Sequence, residues 1–222
     1  MMKVKICGIT REEDVKKCEA NRADLIGFIN IGRSKRFVEL DKVLNLTSLM
    51  QDKSKAVLVM ETDDIVEAQK AIEITGINLV QFHSLSFDYI KKFRQNNPKV
   101  KIIKAVGIPE SMSDQKINEI EAYAEICDYL LFDFEVDGKS GGTGKQIPLN
   151  QAVKAAETAL KYNKEIELLL AGGIDSHRIK TEGKTLEKVF DYVDINSGVE
   201  DQPGYKSEAK IREFMDVLKE NS

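Results

Sequence analysis

At 222 residues the chain is long enough for one α/β barrel or for two small domains. Hydrophobic residues at 42% and charged residues at 32% suit a sizeable core under a solvated surface, as in a soluble globular protein. A net charge of -4 without a basic stripe or charged tail argues against a nucleic-acid partner, and no apolar run reaches the ~18 residues of a membrane span.

The three cysteines, Cys7, Cys18 and Cys127, are far apart and lack metal-ligand spacing, which fits a reducing cytoplasm. The amino terminus runs straight into strand-like sequence with no long apolar region or cleavage site, so no signal peptide is expected. Composition leaves monomer and homodimer both open.

Lys3 to Cys7 alternates toward a strand that Gly8 breaks; Thr10, with Glu13 at the capping-box position, then opens a helix over Arg11 to Ala20. Asp24 to Asn30 is a second strand, followed by a polar loop over Gly32 to Arg36 and a helix from about Leu40. Lys55 to Met60 is a third, with Thr62, Asp63 and Asp64 signalling a helix that carries Ile65, Ala68 and Ile72 on one side. Asn78 to His83 and Val100 to Val106 are the fourth and fifth, followed by helices over Phe87 to Gln95 and from Pro109 to about Ala124.

The sixth strand organises the rest. Tyr129 to Phe132 is a continuous apolar run with Asp133 near its end, so the acid and the later cluster Gly141, Gly142, Thr143 and Gly144 are expected at or beyond its carboxyl end. A helix over Leu149 to Tyr162, a seventh strand over Glu165 to Ala171 closed by Gly172 and Gly173, and a short helix come next. The eighth strand, Tyr192 to Asn196, is capped by Ser197 and Gly198, and a last helix starts at Ser207. Eight strand-then-helix units of roughly 28 residues, with no linker and no dinucleotide fingerprint, predict a single (β/α)₈ TIM-barrel domain over residues 1–222.

In such a barrel, ligands bind at the carboxyl ends of the strands. Glycines at the last three exits let backbone N–H groups approach an anion, which points to a small phosphorylated substrate; the competing reading is that glycine merely ends strands. Gly144-Lys145 is no nucleotide P-loop, because Lys139 stands where its first glycine is needed and Gln146 replaces the magnesium-binding hydroxyl. Cys7, ending the first strand, is either inert core or a reactive thiol, whereas Cys18 and Cys127 read as core. Asp133 is costly to bury charged, which favours an acid or base role over a structural ion pair. Arg33, Lys35 and Arg36 form either a solvated loop or a clamp for a second anionic group. His83 is a ligand contact or a satisfied core histidine, and His177 reads as helix surface.

These motifs resemble the phosphoribosylanthranilate isomerases of tryptophan biosynthesis. The likeness is carried by Lys5-Ile6-Cys7-Gly8-Ile9-Thr10, Gly27-Phe28, Ser34-Lys35-Arg36-Phe37-Val38, Gln81-Phe82-His83, Gly141 to Lys145, Ala171-Gly172-Gly173-Ile174 and Asn196-Ser197-Gly198-Val199-Glu200, with Pro203-Gly204. It spans residue 5 to about residue 206. It implies a (β/α)₈ barrel and a cofactor-free Amadori rearrangement of N-(5'-phosphoribosyl)anthranilate. By that analogy Asp133 protonates the ribose ring oxygen, Cys7 removes the C2′ proton, Arg36 holds the anthranilate carboxylate and the glycine loops hold phosphate. Cys7 would then need to be partly thiolate, with Arg36 or strand-end dipoles offsetting the substrate's negative charge. The chain departs from the family at Ser84, where glycine is usual, at Val59-Met60-Glu61 and at Gln146-Ile147-Pro148. Two other readings remain: a related aminoaldose isomerase, against which Cys7 tells because that family uses aspartate there, and a non-catalytic phosphate-ligand binding protein.

Overall fold

Alternate residues of each apolar run go to two different apolar places, the lumen of a closed barrel and the layer under its helices. The computed structural model describes residues 1–136, 139–140 and 145–221. Its barrel strands are β1 (Lys3–Cys7), β2 (Leu25–Asn30), β3 (Ala56–Met60), β4 (Leu79–Phe82), β5 (Lys101–Ile108), β6 (Tyr129–Val136), β7 (Glu167–Leu170) and β8 (Tyr192–Ile195). Helices α1 (Glu12–Ala20), α2 (Leu40–Ser48), α3 (Ile65–Thr75), α4 (Phe87–Asn96), α5 (Asp114–Ile126), α6 (Leu149–Tyr162), α7 (Ser176–Leu186) and α8 (Glu208–Glu220) follow the strands in turn. Every strand pairs in parallel with the next, and β8 pairs with β1, so the sheet closes.

One parity of residues fills the lumen: Cys7, Ile29, Val57, Val59, Ile103, Leu131 and Leu169 are among those packed there. The opposite parity, including Ile6, Phe28, Leu58, Phe82, Phe132 and Leu170, packs outward against the helices. A slip of one residue in any strand would exchange the two sets.

Three aspartates, each immediately before an even-numbered strand, hold the register at the floor. Asp24 Oδ2 accepts from Val4 N–H, Asp128 Oδ2 from Ile102 N–H and Asp191 Oδ2 from Leu168 N–H, each at 2.8 Å. Helix starts are fixed by Asp64, whose side chain accepts from Val66 N–H, by Ser113 from Lys116 N–H and by Asp175 from Arg178 N–H. No helix among the described residues is long and apolar enough to cross a membrane.

Several boundaries differ from the sequence reading. Thr10 does not cap α1: Arg11 is the N-cap residue and makes no side-chain cap bond, while Thr10 Oγ1 donates to Gly204 O at 2.7 Å. Tertiary contact with the turn after β8 outbids the local cap. β6 runs past Asp133 to Val136, because β5 extends to Ile108 and supplies the partners Gly107 and Ile108; the acid therefore lies inside the strand. β7 is shorter than expected, starting at Glu167 and ending at Leu170.

Phe132 has no exposed surface and meets Phe190 edge-on at 6.2 Å between ring centroids. Phe132→Ala is expected to destabilise the barrel by about 3–5 kcal/mol, read as a lower urea midpoint at unchanged slope.

Candidate active site

A cavity of about 540 Å³ opens at the carboxyl ends of the strands. Eight residues singled out from the sequence line it together: Cys7, Arg36, His83, Asp133, Gly172, Gly173, Ser197 and Gly198. Gly141, Gly142, Thr143 and Gly144 lie outside the described residues.

Cys7 is the last residue of β1 and points into the lumen. Burial pushes its thiol up from the usual value; the positive charge of Lys5 pulls it back, Asp194 opposes this, and Lys206 adds a smaller pull. The sequence reading looked to Arg36 for this offset. The structure instead gives the first place to Lys5, two residues earlier on the same strand face. Lys5 Nζ sits 2.8 Å from Asp194 Oδ2, both side chains enclosed, and those two strand positions are in register.

Asp133 is buried on β6, and its Oδ1 accepts from Phe134 N–H at 2.8 Å. The chain passes close behind it at Gly172, where φ is +78° and an added Cβ would lie 2.6 Å from Asp133 Oδ1 and 2.8 Å from Lys145 O. Only glycine fits this crossing. The loops after β6 and β7 are further tied by Gln146 Nε2, which donates to Gly173 O at 2.7 Å, and by buried Arg178, whose Nη2 donates to Ile147 O at 2.7 Å.

The basic loop after β2 is not a set of free cations. Arg33 forms a two-pronged pair with Glu61 at 2.7 and 2.8 Å, so the departure at Glu61 supplies its partner. Arg36 grips Glu200, with Nε at 3.0 Å from Oε1 and Nη2 at 2.5 Å from Oε2. Glu200 also accepts from Lys206 Nζ at 2.9 Å and from Gly204 N–H at 3.2 Å. Burial alone would raise the Glu200 carboxyl, but Arg36 and then Lys206 hold it below the usual range. Gly8, with φ +78°, lets this cluster close over β1: a Cβ there would lie 2.6 Å from Asn196 Oδ1 and 2.9 Å from Arg36 Cδ.

On the β4 side, Gln81 Nε2 lies 3.0 Å from His83 Nε2. With the amide donating, the imidazole proton resides on Nδ1. His83 Nδ1 and Gln81 Oε1 are buried without a hydrogen-bond partner, so the core reading of a satisfied histidine does not describe this ring. Burial, followed by the positive charges of Lys104 and Lys5, pushes His83 down to about 4, which keeps it neutral near pH 7. Cys18 and Cys127 are buried core, their thiols pushed up to about 12 by desolvation, and His177 is exposed, all as read from the sequence.

Sequence reasoning missed Lys5, Asp194, Glu200 and Lys206 as site residues. Parity was the available signal for two of them: Lys5 precedes Cys7 by two, and Asp194 follows lumen-facing Tyr192 by two. Glu200 and Arg36 are 164 residues apart, and nothing local announces their contact.

A closed parallel barrel whose one described large cavity gathers a thiol, a carboxyl, a neutral imidazole and glycine-rich turns at the strand ends defines the class of (β/α)₈-barrel enzymes that work by proton transfer. The chain belongs to the N-(5'-phosphoribosyl)anthranilate isomerase family, whose model, described as "N-(5'phosphoribosyl)anthranilate (PRA) isomerase", matches residues 4–217. The N-(5'-phosphoribosyl)anthranilate isomerase of Methanothermobacter marburgensis is 35% identical over 219 residues, covering 98% of this chain and 94% of that one. The phosphoribosyl anthranilate isomerase of Thermus thermophilus superposes with a TM-score of 0.80 at 24% identity, covering 100% of both chains. A phosphoribosyl anthranilate isomerase in complex with reduced 1-(o-carboxyphenylamino)-1-deoxyribulose 5-phosphate gives 0.75 at 23% identity, covering 99% of this chain and 100% of that one. At these identities the two structures speak for the fold.

Two outcomes follow from the geometry. Gly172→Ala should leave the far-ultraviolet spectrum intact but displace Asp133, cutting turnover by about a hundredfold. For His83, the unfolded chain takes up a proton near pH 6.5 and the folded one only near 4, so stability is lost as pH falls through that window. Urea midpoints measured across it should fall for the wild type, and His83→Asn should flatten that segment of the profile.

Proposed function

We propose that the chain rearranges N-(5'-phosphoribosyl)anthranilate to 1-(2-carboxyphenylamino)-1-deoxyribulose 5-phosphate, with Asp133 as the acid and Cys7 as the base of a single barrel domain spanning residues 1–222. The observation that carries this reading is that Cys7, ending β1, and Asp133, inside β6, line the same cavity. Asp133 gives its proton to the ribose ring oxygen; the C1′–O bond breaks and the nitrogen lone pair forms an iminium. Cys7 Sγ, as thiolate, then takes the C2′ proton, and the electrons of that C–H bond flow to the nitrogen to give an enamine. The Cys7 thiol returns a proton to C1′ while the 2′-hydroxyl proton passes to the Asp133 carboxylate, which completes the ketone and restores both groups. Every step is a proton transfer, and the scheme calls on no cofactor.

Arg36 spends Nε and Nη2 on Glu200, which orients the remaining Nη1 edge for the anthranilate carboxylate. Neutral His83 lines the cavity from the β4 wall. The turns carrying Gly172 and Gly173 and the single turn of 3₁₀ helix at Ser197–Val199 offer main-chain amides to the phosphate, the arrangement barrels use after their last two strands. Glycines 141 to 144 with Thr143 belong to the same proposed phosphate grip.

Loss of anthranilate fluorescence from freshly made substrate, followed in a coupled assay, reports the reaction directly. Cys7→Ser and Asp133→Asn should each lower turnover by about 10³-fold or more while a product analogue still binds. Near-normal rates in both variants would defeat the acid/base assignment.

A further inference from the structure

A buried charge pair lies beneath Cys7 that the scheme above does not use. Lys5 and Asp194 face each other across the lumen wall between β1 and β8, their side chains 0% and 9% exposed, with Nζ 2.8 Å from Oδ2. A buried pair of this kind adds little stability over apolar residues of the same volume, because desolvation consumes most of the attraction. Its presence calls for another reason. Asp194 also lines the catalytic cavity, and its second oxygen, Oδ1, is buried with no hydrogen-bond partner.

The charged groups around Cys7 come from every element packed against it. Lys5 comes from β1, Asp194 from β8, Lys206 from the turn after β8 and Arg36 from the loop after β2, with Glu200 bonded to the last two. These five groups are three cations and two carboxylates. The cluster carries one uncompensated positive charge while Cys7 is a thiol and is balanced when Cys7 is a thiolate. Arg36 and Lys206 are committed to Glu200. Lys5 is the cation with the closest tie to the sulfur: it shares the strand face, and it is fully enclosed, so arriving substrate cannot draw it away.

We propose that Lys5 is the counter-ion of the Cys7 thiolate, held in place by Asp194, so that the two are positioning residues for the base. The inference rests on the reading of Cys7 as the base. Asp194 has two opposed effects. Its carboxylate keeps the enclosed lysine protonated, and it competes with the thiolate for the same ammonium.

The test is the pH dependence of Cys7 alkylation by iodoacetamide in the full-length protein without substrate, with the labelled peptide identified by mass spectrometry. Cys18 and Cys127 lie outside the cavity lining and do not interfere. Lys5→Met should move the Cys7 titration up by about one pH unit, which is about tenfold slower alkylation at neutral pH. Turnover number should drop by a similar factor at neutral pH and recover as pH rises, with KM little changed. An unmoved titration in folded Lys5→Met overturns the proposal. If that variant does not fold, Lys5→Gln, which keeps a polar side chain of similar length and loses its charge, decides: an upward shift supports the proposal, and an absent shift overturns it. Wild-type protein that fails to turn over N-(5'-phosphoribosyl)anthranilate while the shifts hold defeats the proposed function alone. Normal turnover with unmoved titrations defeats only the counter-ion role.

Discussion

The pairing of β1 with β8 is the contact on which the rest of the molecule depends. It joins Lys3, Val4, Lys5 and Ile6 to Tyr192, Val193, Asp194 and Ile195, and it turns an open sheet into a ring with an inside. Closure gives parity its meaning. Residues that would lie on one exposed face of an open sheet become the walls of a lumen, where Cys7 and Asp133 are set by the same alternation that sets the leucines and valines below them. Shifting the closing register by one residue would turn Lys5 and Cys7 outward into the apolar layer under the helices, at a cost no neighbouring group there could offset.

The rim above the lumen is governed by charge rather than by packing. Glu200 gathers Arg36 from the loop after β2 with Lys206 and Gly204 N–H from the turn after β8, and Arg33 pairs with Glu61 on the same rim. These contacts hold loops that have few apolar side chains of their own. They also leave few degrees of freedom to a side chain meant to grip a carboxylate, which reduces what must be ordered when a ligand arrives.

The fold was largely legible because each strand announces itself as an apolar run and each helix by spacing and an acidic or hydroxyl start; α6 at Leu149–Tyr162 was read to the residue. Errors cluster where a distant contact overrides a local signal, as when Thr10 turns from capping α1 to meet Gly204, or when β5 lengthens and carries β6 past Asp133. The chemistry-bearing residues named beforehand that the structure describes, Cys7, Arg36, His83 and Asp133 among them, do meet at one cavity. Charged residues inside apolar runs were harder to place. A lysine at position 5 or an aspartate at position 194 looks like a strand edge until the ring closes and each becomes the other's neighbour. The partners of Arg36 and Arg33 were invisible for a simpler reason: long-range ion pairs leave no trace in local periodicity.

The floor aspartates have a bearing on assembly. Asp24, Asp128 and Asp191 reach back only 20, 26 and 23 residues, each fastening an odd strand to the even one that follows. The bond between Lys5 and Asp194 spans 189. Because the entropy lost in closing a loop grows with its length, the three two-strand units close at a lower entropic cost than the seam between first and last strands. The lumen therefore exists as a ligand-holding space only after the longest-range seam has formed, so a nascent chain cannot bind substrate piecemeal.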